Sequence, residues 1–164
     1  IVEPTLAEFP ISAVSWDGAS QYCAEHGKRL PTEAEWEYAC RAGSQGPWGN
    51  ITKDQMGTLE ELGWYSENSG INLHEVMTKA ANAWGLHDMH GNVWEWCQDA
   101  WDGASKPIGG RNPVSKVGSY RVCRGGSWDS YGVDCRSVYR GWDDPQLCNN
   151  DLGFRVALVP MALK

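Results

Sequence analysis

NAWGLHDMHGNVWEWCQD, residues 82–99, decides the reading of this chain. Gly91 and Asn92 permit a tight bend, and the four residues after them alternate as a strand does, Trp94 and Trp96 to one face and Val93 and Glu95 to the other. Large rings at that spacing are core residues before they are ligand contacts. His87 and His90 flank Asp88 and Met89, a spacing that on a helix would suggest a metal pair. Placed before a bend and a strand, they read as polar loop histidines.

Working outward toward the N-terminus, Ser15 precedes Trp16, Ala19, Tyr22 and Cys23 at helical spacing, and Gly27 follows. An N-cap, an apolar stripe and a stop signal predict a short helix near 16–26. Thr32 and Glu35 stand in capping-box register after Pro31 and predict a second helix that ends before Gly43. From Gly43 to about Gly85 the chain is rich in Gly, Asn and Ser, so long loops are expected, with one turn of helix within Lys53 to Leu62.

Toward the C-terminus, Tyr120, Val122 and Cys123, then Phe154, Val156 and Leu158, form short β-prone runs. Asp99 to Lys116 reads as a connecting loop rich in Gly, Pro and Ser. No internal repeat and no linker divides the chain, so residues 1–164 are read as one domain.

Composition sets outer limits. Ten Trp and six Tyr stand against two Phe, with 19 Gly, which suits flat rings fitted against close turns better than a helical bundle. The net charge of −7 without a Lys/Arg cluster gives no electrostatic reason to approach nucleic acid. No apolar run reaches the roughly 18–20 residues of a membrane span. Six cysteines occur without a C-x-x-C pair. Their even number in a small, loop-rich, acidic domain points to an oxidising compartment, that is, an extracellular, periplasmic or cell-surface setting.

Four strings carry more than local structure: KRLPTEAEWEYACRAG at 28–43, NAWGLHDMHGNVWEWCQD at 82–99, RVCRGGSW at 121–128, and CRSVYR with LGFRVAL at 135–140 and 152–158. In this order they resemble the formylglycine-generating enzyme, or sulfatase-modifying-factor, family. The resemblance covers nearly the whole chain. It implies an α+β, C-type-lectin-like fold with two helices, a small twisted antiparallel sheet and extensive loops, here without the strands with which members usually begin.

It also sets chemical expectations. Active members bind copper through two cysteines five residues apart, just after the GGS-aromatic string, where soft thiolates suit a cuprous ion. Here GGSW is followed by Asp129, Ser130, Tyr131, Gly132, Val133 and Asp134, so no copper is expected. Cys135 belongs to the next string, and the resemblance implies that it pairs with Cys40 in a disulfide. Cys23, whose family partner position is Val156, is expected as a helix-face core thiol. Cys97 and Cys123 follow strand-like runs and are open to pairing, and Cys148 is the odd thiol. Some members hold calcium on the segment matching HDMHGNV, which implies Asp88 (side chain) with Met89, Gly91 and Val93 (carbonyls) as candidate ligands here.

Residues 129–151 hold Asp129, Ser130, Tyr131, Asp134, Tyr139, Trp142, Asp143, Asp144, Gln146, Asn149 and Asn150. Rigid aromatics interspersed with adaptable polar groups are the composition of a binding surface. The window also resembles that of the variable proteins of diversity-generating retroelements, although Trp142 and Gln146 fit diversified Asn codons poorly. The expected function is therefore a non-catalytic domain that presents residues 129–151 to a protein or glycan ligand. The alternatives are a divergent formylglycine-generating oxidoreductase and a scaffolding domain of a larger protein.

Overall fold

The computed structural model describes residues 8–101, 103, 110 and 113–158. Helix α1 spans Trp16–Glu25, and the Ser15 side chain accepts from Gly18 N at 3.1 Å, as the N-cap pattern predicts. Ala19 and Cys23, one turn apart, are its buried face, and Gly27 at φ +65° turns the chain away. Helix α2, Glu33–Arg41, carries the full capping box: Thr32 Oγ1 accepts from Glu35 N, and Glu35 Oε2 accepts from Thr32 N at 2.9 Å. It stops at Ala42, which takes a left-handed conformation before Gly43.

Ten short strands accompany the helices among the described residues. β1 (Lys28–Arg29) pairs antiparallel with β10 (Ala157–Leu158), joining the segment between the two helices to the last described strand. β2 (Asn50–Thr52) and β3 (Gln55–Met56) form a small hairpin. A one-turn helix α3, Leu59–Leu62, follows with its own capping box from Thr58 and Glu61, so the turn expected within 53–62 occupies only its last four residues. β4 (Gly63–Trp64) runs parallel to β5 (His90–Gly91). A side chain at Gly63 would lie 1.8 Å from the His90 carbonyl oxygen, so this close approach requires glycine.

The main sheet has the order β8-β7-β6-β9, with β6 at Trp94–Trp101, β7 at Tyr120–Arg124, β8 at Gly141–Asp143 and β9 at Leu152–Gly153. Its first three strands are antiparallel, and β9 joins parallel to β6. The single strand expected over 154–158 is interrupted: Phe154 to Val156 lie outside any strand, and Arg155 turns inward to Glu95. Asp99 lies in β6 and not in the connecting loop. Its buried carboxylate accepts from Glu33 N and Ser115 N, both at 2.8 Å, tying the start of α2 to the sheet.

The two sheet faces build two cores. Ala19, Cys23 and Leu30 pack with Trp96, Cys123 and Leu152 on one side. Trp36 and Cys40 pack with Met89, Cys97 and Val122 on the other. The alternation of GNVWEW holds: Trp96 and, partly buried, Trp94 enter the first cluster, while Glu95 reaches through to accept from Trp36 Nε1 at 2.6 Å. Cys97 and Cys123 sit in opposite clusters, so the sheet itself separates these two thiols. Cys23 is buried on α1, as expected.

The Asn- and Gly-rich region before β5 is held by side-chain amides in place of regular ladders. Asn82 donates to the Ala39 carbonyl at 2.7 Å and accepts from Trp84 N and Leu86 N. Asn92, at φ +65°, clamps the His74 backbone from both sides. Such local bonds satisfy backbone groups that helix or sheet would otherwise pair.

Candidate functional site

The C-terminal window is suspended from a buried ionic framework. Arg124 on β7 is fully buried and meets Glu33 at 3.2 Å and Glu37 at 2.6 Å, both on α2. Glu33, itself 2% exposed, also takes two bonds from Arg140, Nε at 2.6 Å and one terminal nitrogen at 2.7 Å. Arg124 further donates to the carbonyls of Ser137 and Val138. One acidic residue at the start of α2 thus fixes both ends of the segment between β7 and β8.

A second anchor lies after the glycine pair. Ser130 is buried, and its hydroxyl accepts from Ser127 N and meets Ser127 Oγ, both at 3.0 Å. Ser127 Oγ also donates to Asp151 at 3.1 Å, so both ends of the window meet at this serine. Burial, ahead of the nearby Asp129 and Asp143, pushes the Asp151 carboxyl up. Ser130 was expected among the ligand contacts and is instead framework.

The remaining window residues separate into groups. Asp129, Tyr131, Trp142, Asp144, Gln146, Asn149 and Asn150 are exposed, Tyr131 at 70% and Trp142 at 48%. Tyr139 is half-buried, with its ring 6.0 Å from Trp94; burial, then Asp134, pushes its hydroxyl up. Trp142 stands with Tyr120 and Trp101 at centroid distances of 4.8 and 6.2 Å. Tyr120 and Trp101, from the two neighbouring strands, were missed because only the cross-strand register Trp101↔Tyr120 and Val122↔Trp142 reveals the shared face. Asp143 and Asp144 bond backbone N–H groups of the following turn, and Gln146 reaches Asp17 on α1. These residues therefore form a surface that wraps an edge of the sheet and not a single cleft.

The disulfide implied between Cys40 and Cys135 is not formed; both residues are free, buried thiols. The physical reason is His90, which lies between the two residues. Its Nε2 accepts from Gly49 N at 3.0 Å, so its Nδ1–H donates to the Cys135 carbonyl at 2.7 Å. Cys40 Sγ lies 3.5 Å from Nε2 and contacts the Met89 carbonyl and Ser137 Oγ. Cys135 Sγ is directed at Gly126, where a side-chain carbon would sit 2.4 Å away. Desolvation pushes His90 down to about 4 and both thiols up to about 12, so this cluster is neutral near pH 7. His90, expected as a polar loop histidine, is a buried hub; His87 is half-buried and bonds the Lys79 carbonyl.

Of the four calcium candidates, Asp88 offers one fitting feature. Its Oδ2 accepts from Met77 N at 2.8 Å, while its Oδ1 is buried without a partner. The Met89 carbonyl is engaged by Cys40, and Arg155 places a guanidinium nitrogen 3.2 Å from the carbonyls of both His87 and Asp88. Arg155 is itself paired with Glu95, so it adds no net charge beside this loop. No group of three His, Cys, Asp or Glu side chains suited to a metal occurs among the described residues. Asp88 Oδ1 is the side-chain oxygen this loop would offer a hard cation, with Gly91 and Val93 contributing backbone carbonyls.

Comparison with known proteins agrees with the architecture. The sulfatase-modifying factor enzyme 1-like domain family matches residues 1–159. The chain is 39% identical to the serine/threonine-protein kinase pkn1 of Chlamydia caviae, over 96% of this chain and 25% of that protein. It is 37% identical to the formylglycine-generating enzyme of Bos taurus, over 92% of this chain and 44% of that one. It therefore spans from a quarter to under half the length of these relatives. Among solved structures, Treponema denticola variable protein 1 superposes with a TM-score of 0.82 at 30% identity, over 98% of this chain and 74% of that one. With an α+β, C-type-lectin-like fold and a match along almost its entire length, the chain belongs to the sulfatase-modifying factor enzyme 1-like domain family.

Proposed function

We propose that this domain is a non-catalytic ligand-binding module that presents the exposed part of residues 129–151. The observation that carries the reading is the division of the window. Ser130, Ser137 and Arg140 are locked to Ser127, Pro47 and Glu33, while Asp129, Tyr131, Trp142, Asp144, Gln146, Asn149 and Asn150 face solvent. Surface aromatics on a rigid frame supply contact area at low entropic cost. Likeness to a variable protein at 30% identity supports the same reading.

The thiols argue in the same direction. Cys135, which follows the GGSW string most closely, is buried and its thiol is pushed up to about 12, the opposite of an activated thiolate. The ligand is a protein or a glycan that meets Tyr131 and the Trp142 face. The match to a quarter of a kinase supports a second reading, a recognition or scaffolding domain carried within a longer chain.

The test has two arms. Randomising positions 129, 131, 142, 144, 146, 149 and 150 together in a display library is expected to leave most clones folded and to yield binders to an immobilised protein. Randomising Glu33, Arg124 and Ser130 is expected to leave almost none folded. Copper-dependent oxidation of a cysteine-containing peptide by the wild-type domain would overturn the reading.

A further inference from the structure

A cavity of about 800 Å³ lies apart from that window, since no residue of 129–151 lines it. It opens where α1, the turn before β5 and the break between β9 and β10 come together, and its walls are largely apolar, with Val14, Tyr22, Leu86, Val93, Phe154 and Val156 among them. A volume of this order holds a drug-sized molecule.

Four ionisable side chains share the lining, and three of them offer no donor. Glu95 accepts from Arg155 and from Trp36 Nε1 at 2.6 Å. Asp88 takes Met77 N on one oxygen, and its other oxygen is closed off. His87 holds the Lys79 carbonyl through Nδ1 at 2.9 Å, which leaves Nε2 of the neutral ring an acceptor. Arg155 differs. Its Nε and Nη2 bond Glu95 and the carbonyls of His87 and Asp88, whereas Nη1 has no partner among the described residues. Nor is Nη1 sealed from solvent, and the side chain keeps 25% of its surface exposed. Glu95 meets the charge, so what stands open is a hydrogen-bond donor. An occupant without an acceptor strips water from that nitrogen and leaves a charged group's donor unmet, which weakens binding; a carbonyl oxygen takes the place of the water.

We propose that this cavity is a second binding site, for a neutral, largely apolar molecule with a carbonyl oxygen at one end: its apolar body lies against Tyr22, Phe154 and Val156, and its carbonyl accepts from Arg155 Nη1. Phe154, Arg155 and Val156 are consecutive, so the break between β9 and β10 supplies both an apolar wall and the donor. The site does not depend on the ligand surface proposed above.

The probes are 2-acetylnaphthalene and 2-isopropenylnaphthalene, equal in shape, with a methylene in the second where the first has its carbonyl oxygen. Each is bound to the wild-type chain by equilibrium dialysis, and its affinity is compared with its octanol–water partition. On that scale the ketone is expected to gain about tenfold or more over the alkene, the range of one hydrogen bond to a charged donor. Intermolecular NOEs from the naphthalene to the ring protons of Phe154 and Tyr22 locate the site. Arg155→Lys keeps a cation for Glu95 and removes Nη1, and should bring the ketone's gain to within about threefold while the alkene binds as before. Val156→Trp, at a position 40% exposed, fills the cavity from its rim and should weaken both probes about tenfold or more, with no change at Arg155. No binding of either probe, equal scaled affinities in the wild type, no NOE to either ring, a gain undiminished in folded Arg155→Lys, or unchanged binding in Val156→Trp each overturns the proposal.

Discussion

Glu33 is the residue whose removal should cost this fold most for its size. It is 2% exposed and faces two guanidinium groups, Arg124 at 3.2 Å and Arg140 at 2.6 and 2.7 Å, with Arg124 fully buried. Glu33→Ala takes a shared carboxylate from two guanidinium groups in a medium that solvates them poorly. Glu37 stays at 2.6 Å from Arg124. Breaking a buried pair from one side costs about 3–5 kcal/mol. At about 2–4 °C per kcal/mol for a domain of this size, the melting temperature should fall by about 6–20 °C. The measurement is urea denaturation followed by tryptophan fluorescence and near-ultraviolet circular dichroism, with Arg140→Met alone and in combination with Glu33→Ala. Since Glu33 and Arg140 are direct partners, the double variant should lose clearly less than the sum of the single losses. A loss below about 1 kcal/mol for Glu33→Ala, or strict additivity, would refute the view that this triad sets the base of the C-terminal window.

Other outcomes follow from the same geometry. His90 falls from its ordinary 6.5 to about 4 in the folded chain, so the unfolded chain takes up that proton first as pH drops. Stability from this group is therefore complete above pH 6.5 and declines between about 6.5 and 4, by ~3 kcal/mol in all. The difference between wild-type and His90→Gln unfolding curves across that range should show the slope, and a flat difference refutes it. Thiol titration of the native chain should modify Cys148 quickly and Cys23, Cys40, Cys97, Cys123 and Cys135 only on unfolding, with all six reactive under reducing-agent-free denaturation; four would reveal a bridge. Thr32→Ala removes half of a capping box and should cost about 1 kcal/mol by the same urea assay. Gly91→Ala combines φ +78° with a contact of 1.9 Å to the Trp64 carbonyl oxygen, and is expected to yield little folded protein as judged by soluble expression.

What the sequence by itself determined is what short-range rules govern. Helix starts at Ser15 and Thr32 follow from a side-chain oxygen within three residues of an orphan N–H, and the faces of Trp94 and Trp96 from the period of a strand. The four strings carried the fold class as well, because a succession of that length constrains the whole chain. Tertiary structure alone decided the rest. Ser130 became framework because its hydroxyl bonds Ser127, which also holds Asp151 at the other end of the window. Cys40 and Cys135 stayed apart because His90 makes its hydrogen bonds between them. Trp101, Tyr120 and Trp142 became neighbours through strand register. These outcomes depend on contacts between residues far apart along the chain, where the free energy of burying and pairing polar groups, which no local pattern of residues encodes, chooses the partner.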